Sequence, residues 1–128
     1  MNITVEQTRV ALLAFVKQAV ASKTTDIRET NFQGQTITYP CVRYEAILRP
    51  DECKGFDVLL SVYGWSEDES SLEVTEVIDA AITNLHGHTY ADAEVKVQSV
   101  FLEDTPPPVR IDRLWRGIAR FSCIASAA

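Results

Sequence analysis

The residues in this chain that could do chemistry are few. The densest group is His86-Gly87-His88, where neighbouring imidazoles could donate to one metal ion. Metal sites take three or four ligands, held by further hydrogen bonds around them. This pair instead falls where a helix should end, and a histidine is favourable there through the helix dipole alone. Cys41, Cys53 and Cys123 are odd in number and none has CxxC spacing, which reads as free thiols in a reducing compartment. Cys53 has no adjacent histidine, and no segment resembles a nucleophile elbow. Gly64 and Gly87 are isolated, so no phosphate-binding loop can be built from them. Asp51-Glu52 and Glu103-Asp104 sit in predicted turns, where carboxylates are ordinarily solvated. Trp65 and Trp115 could stack on a ligand, but their large apolar area more often serves a core or an interface. Arg116 and Arg120 share a strand face that could hold phosphate, although a solvated face or a subunit contact is the plainer reading. The expectation is therefore no catalytic residue, no cofactor and no metal.

The elements that would position these residues can be read from periodicity. Thr4 and Gln7 form a capping-box signature, which starts a helix over 5–21. At about 100° per residue, Val5, Leu12, Val16 and Ala19 share its inner face, flanked by Leu13, Phe15 and Val20. Val10, Ala11 and Ala14 leave the far side partly apolar, which suits a second contact. Residues 22–35 are polar and read as a long connection with room for a short strand or hairpin. Strand patterns follow over 39–49 and 56–65. Pro40 lacks an amide hydrogen and should start the first of these or lie at an edge. Apolar residues on both sides of the second (Phe56, Val58, Leu60 and Val62 against Leu59, Tyr63 and Trp65) predict a strand covered on both faces.

Ser70 and Glu73 read as a second capping box behind the acidic run Glu67-Asp68-Glu69. The helix they open has a stripe of Val74, Val77, Ile78, Ala81 and Leu85 and should end at Gly87. Strand patterns return over 94–103, with Val95, Val97 and Phe101 on one side, and over 114–125, with Trp115, Ala119, Phe121 and Cys123 on one side. Between them Pro106-Pro107-Pro108 should hold a stiff, extended loop. The order α-β-β-α-β-β with short turns predicts an α+β fold: a mostly antiparallel sheet with two packed helices, in one domain over residues 1–128.

Composition bounds the function. A net charge of −6 speaks against wrapping nucleic acid or docking on anionic lipid. Val10 to Val16 followed by Ala19-Val20-Ala21 imitates a signal peptide, but Glu6 offsets Arg9, and Lys17 and Gln18 break the apolar run, so a helix is expected. No stretch reaches the ~20 apolar residues of a membrane span.

One arrangement is more specific. A strand follows Tyr39-Pro40; the next ends in Trp65-Ser66 before an acidic, capped helix; that helix closes at Leu85-His86-Gly87; and the last strand reads Leu114-Trp115-Arg116-Gly117-Ile118-Ala119-Arg120-Phe121. This layout resembles the tail-completion and tail-terminator proteins of tailed bacteriophages over nearly the whole chain. The resemblance implies a sandwich that forms a homo-hexameric ring, caps the finished tail tube and joins it to the neck. It implies partners in the tail tube protein and a neck or head–tail connector protein, DNA passing through the lumen without specific binding, and a virion location after assembly in the host cytoplasm. It carries over no catalytic residue. Candidate subunit or partner contacts are Phe32, Trp65, Pro106, Pro107, Pro108, Arg110, Arg113 and Arg116. Residues 22–35 and 104–113 are expected to be the main assembly loops, and the lumen to be acidic or neutral. Other readings are another neck or head-completion protein, a small-molecule enzyme or binding domain on a related fold, and a toxin–antitoxin or regulatory module.

Overall fold

The first helix forms where its cap requires. The Gln7 amide donates to Thr4 Oγ1 at 3.1 Å, and the Thr4 amide donates to Gln7 Oε1 at 2.9 Å. In the computed structural model, which describes residues 2–31, 36–52 and 55–128, helix α1 covers Val5–Val20. Its buried stripe is Thr8, Ala11, Leu12, Phe15, Val16, Ala19 and Val20. The stripe is rotated from the expected one: Val5 lies outside and Ala11 inside, because the alanine lets α1 approach its neighbours without a bulky side chain between them.

The remaining elements, in chain order, are β1 (Ile27–Glu29), β2 (Cys41–Pro50), β3 (Phe56–Ser66), α2 (Leu72–Leu85), β4 (Tyr90–Ala91), β5 (Val95–Asp104), β6 (Val109–Ile111) and β7 (Leu114–Ala127). The four strands expected from alternation are β2, β3, β5 and β7. The three short ones have too few residues for a period-2 signal to stand out. Strands β1 to β5 and β7 lie in the order β1-β2-β3-β7-β5-β4, with β6 also paired to β7. All pairings are antiparallel except β1 with β2, so the sheet is mixed. Helix α1 touches both ends of this order, β1–β2 and β4–β5, so the sheet curls around it. Phe15 stacks on Tyr90 of β4 at 5.7 Å between ring centroids.

Helix α2 lies across β3 and β7, and paired glycines let it do so. Gly64 and Gly117 are directly opposite one another in the ladder. A Cβ on Gly117 would stand 2.6 Å from Ile78 Cγ1, and one on Gly64 would stand 3.3 Å from Val77 Cγ1. The expected stripe of Val74, Val77, Ile78, Ala81 and Leu85 is the buried one. The expected Ser70–Glu73 capping box does not form. Ser71 is the N-cap, and the Glu73 carboxylate instead accepts from the buried Ser66 hydroxyl at 2.7 Å. A buried hydroxyl needs a partner more than an exposed helix end does. Gly87 ends the helix with φ +75°, and its amide donates to Val100 O.

Several other expectations are corrected. Strand β3 is central but covered on one face only, since both helices pack against the same side. Phe101 does not share a face with Val95 and Val97. Ser99 adopts φ +55° in a bulge, so Ser99 and Val100 together oppose Cys123. The extra residue shifts the alternation by one, burying Val100 and leaving Phe101 55% exposed. Residues 104–113 are not a projecting loop. Asp104 pairs with Arg120 and Val109 with Arg116, so the prolines lie along β7 as an interrupted strand, and a tight turn at Asp112 leads directly into β7. Prolines cannot donate to a ladder, which breaks the pairing there.

Candidate functional site

Among the described residues, no helix covers the second side of the sheet. Ladder register places its residues in rows. Ile47 pairs with Leu59, Leu59 with Ser122, and Ser122 with Phe101; Ile124 stands one row away. Ile47, Leu59, Phe101 and Ile124 are all exposed. Four large apolar side chains on four adjacent strands form a surface strip suited to protein contact. The next row is polar: Glu45, Ser61, Arg120 and Asp104, with Arg120 Nη1 donating to both Asp104 carboxylate oxygens at 3.0 and 2.9 Å.

Beyond that row lie two of the sequence-predicted contacts. Trp65 and Arg116 are directly paired across β3 and β7. With Thr30, Arg43 and Tyr63 they line a cavity of about 260 Å³. Arg116 Nε is buried there without a hydrogen-bond partner. Arg43 is occupied: it reaches Asp26 Oδ1 at 2.9 Å. Burial alone would raise the Asp26 pKa, but the Thr38 amide and the Arg43 guanidinium outweigh it and hold the carboxyl below the usual range. Arg28 adds a second cation at 3.4 Å. This buried ion pair escaped the sequence reading because Asp26 stands in a polar stretch and its partner is 17 residues away. The weak signal available was Arg43 itself, a charge inside an otherwise apolar strand start.

The other predicted contacts lie elsewhere. Arg110 stacks over the Trp115 ring at 5.5 Å, and both donate to the Glu69 carbonyl, at 3.0 and 3.1 Å. Together they latch β6 and β7 to the segment before α2. Pro107 is exposed, Pro106 and Pro108 are half-buried, and Arg113 is exposed at the β6–β7 turn. Phe32 lies outside the described residues. The segment before it is tied to the sheet: Thr24 Oγ1 donates to Pro40 O, and β1 pairs with β2.

His86 takes a structural role. His86 Nδ1 accepts the Leu102 amide at 3.0 Å, joining the end of α2 to β5. No group of three metal-ligating side chains occurs among the described residues. Cys41 and Cys123 are buried free thiols, pushed up by burial to about 11 and about 12. Cys53 lies outside the described residues. No described helix is long and apolar enough to cross a membrane.

A second concavity, of about 560 Å³, runs between α1 and β1. Val10, Leu13, Arg9 and Lys17 line one wall, and Ile27 and Glu29 the other. Its floor includes the buried Tyr44, whose hydroxyl donates to Glu29 Oε1 at 3.4 Å.

No family model matches the chain, and no curated protein matches it. Among solved structures, its fold is similar to that of a chain in the virion of a native gene transfer agent particle, with a TM-score of 0.68 at 11% identity. The likeness covers 92% of this chain and 96% of that one.

Proposed function

We propose that this chain is a structural virion protein of the tail-terminator type, acting through one domain that spans residues 1–128. Subunits form a hexameric ring that caps the tail tube and joins it to the neck or head–tail connector. The observation that carries the reading is the end-to-end fold likeness to a chain of a virion particle. At that identity the likeness is one of fold alone; the layout of strands, acidic helix and closing strand supports the finer role. Another neck or head-completion protein is the reading next in line, since the same likeness accommodates it.

In this role the open sheet face is a contact surface, with Ile47, Leu59, Phe101 and Ile124 as apolar anchors and Trp65 and Arg116 as a socket beside them. Arg110, Arg113 and Pro106 to Pro108 flank the same end of β7 and add rim contacts, with Phe32 a further candidate. DNA passes without specific binding through a lumen that is acidic or neutral. That arrangement turns the face bearing Arg43, Arg116 and Arg120 away from the channel, because clustered cations would hold phosphate. The chain catalyses no reaction and takes no cofactor.

The test is reconstitution. Purified chain is added to tails assembled without it, and the products are imaged by electron microscopy. The expected result is a ring at the head-proximal end of tails of fixed length. A chain that leaves the tails unchanged and is absent from intact particles would refute the proposal.

A further inference from the structure

The outward faces of the two helices differ in charge and match in spacing. On α2, Leu72, Glu76 and Asp79 are exposed at intervals of one and two turns, and Leu72 is the most exposed large apolar residue described, at 62%. The helix contains no basic residue, and Glu67-Asp68-Glu69 precedes it. On α1, the exposed Val10, the half-buried Leu13 and the exposed Lys17 form the outward stripe, with Arg9 beside Val10. Arg9 and Lys17 form no ion pair among the described residues. The groove they border also holds the carboxylates of Glu6 and Glu29 and the guanidinium of Arg28, the last already engaged by Asp26.

Both stripes place an apolar residue seven positions before a charge: Leu72 before Asp79, and Val10 before Lys17. Seven residues advance about 10.5 Å along either helix. Laid parallel, the stripes put Leu72 against Val10 and Leu13 at one end and Asp79 against Lys17 at the other. The two faces share no residue, so when each copy offers one face to each neighbour the contact is heterologous. Such contacts build rings when the rotation closes.

We infer that the outward stripe of α2 in one copy docks into the α1–β1 groove of a second copy, and that this contact links subunits around the assembly. The inference rests on the self-assembly proposed above and names the surfaces that perform it. Leu72 enters the groove beside Val10, and the Asp79–Lys17 pair sets the register. The local Asp79–Lys17 attraction makes the contact sensitive to salt.

Disulfide trapping tests it on the full chain. Val10→Cys and Leu72→Cys are made in separate copies, each with Cys53→Ser, and one species is labelled with nitrogen-15. Circular dichroism confirms that both fold. On mild oxidation of the mixture, the mixed Val10–Leu72 disulfide should exceed either like-with-like product by about ten-fold, because a heterologous contact brings only unlike faces together. Lys17→Glu in the Val10→Cys copy should remove that excess, and Asp79→Lys in the other copy should bring it back. A mixed product no more frequent than random collision would overturn the inference, as would trapping indifferent to Lys17→Glu. Chains that trap as expected yet never join particles would sink the virion reading and leave this contact standing. Chains that terminate tails without trapping would do the reverse.

Discussion

Asp26 shows how one side chain can hold an edge strand. β1 is three residues long and pairs on one side only, so its own ladder is weak. The Asp26 carboxylate fastens it by accepting from the Thr38 amide and from Arg43. A carboxyl with a lowered pKa stabilises the fold fully above its unfolded value, and that contribution is lost as pH falls through the folded value. Asp26→Asn should therefore destabilise the protein at pH 7, by about 1–3 kcal/mol for hydrogen bonds to a charged group. The gap between variant and wild type should close as the pH drops below 3.8, the reference value for the group. Urea midpoints measured from about pH 7 down to about pH 2.5, which spans carboxylate titration, check both points. A gap that stays constant would mean the carboxylate charge is irrelevant. The buried thiols make a second residue-scale case. Cys41 and Cys123 have pKa values raised to about 11 and about 12, so neither supplies thiolate near neutral pH. Both should resist iodoacetamide in the native protein and react once urea unfolds it, as read by peptide mass spectrometry.

At the scale of elements, α2 packs closely over Gly64 and Gly117. Gly117→Ala sets a methyl group against Ile78 and should cost about 1–3 kcal/mol through overpacking. Ile78→Ala, which removes the Cγ1 facing that methyl group, should alone cost about 2–5 kcal/mol. Because the two side chains meet, the double variant should cost less than the sum. Additive losses in thermal or urea unfolding would show that the methyl group is accommodated elsewhere. The opposite face of α2 gives the control. Glu76→Ala should cost well under about 1 kcal/mol, since its ion pair with Lys23 is long and exposed. The prolines along β7 have a different task. They lie on the outer side of β7, and their missing amide hydrogens keep that stretch from offering a continuous edge to another strand.

For the whole molecule, stability and the proposed contact at the open face can be tested separately. Leu59 and Phe101 are exposed, so replacing both with serine should shift stability by less than about 1 kcal/mol. The same double variant should fail to join tails if this face docks a partner. A variant with normal unfolding and normal incorporation would remove the open face from the proposed interface.

Much of this architecture was legible in the chain. Thr4 and Gln7 cap α1, the Val74-to-Leu85 stripe is the buried face of α2, and Gly87 ends it, because each depends on residues a turn or two apart. Alternation likewise marked β2, β3, β5 and β7, each of them ten residues or longer. What local pattern could not carry was anything decided by a distant partner. Ser66 takes Glu73 from its expected cap, Asp26 finds Arg43, and Gly64 and Gly117 meet only once β3 and β7 pair. One residue at Ser99 with positive φ reverses the parity of β5 and turns Phe101 outward, which no hydrophobic pattern records. The apolar residues on the second face of β3 were visible, but whether a helix or another protein covers them is a property of topology. Both helices pack on the same side of the sheet, so among the described residues no helix covers that face. Local sequence sets hydrogen bonds and periodicity within an element, whereas the curl of the sheet, its open face and its buried ion pair arise only when elements far apart in the chain compete for the same space.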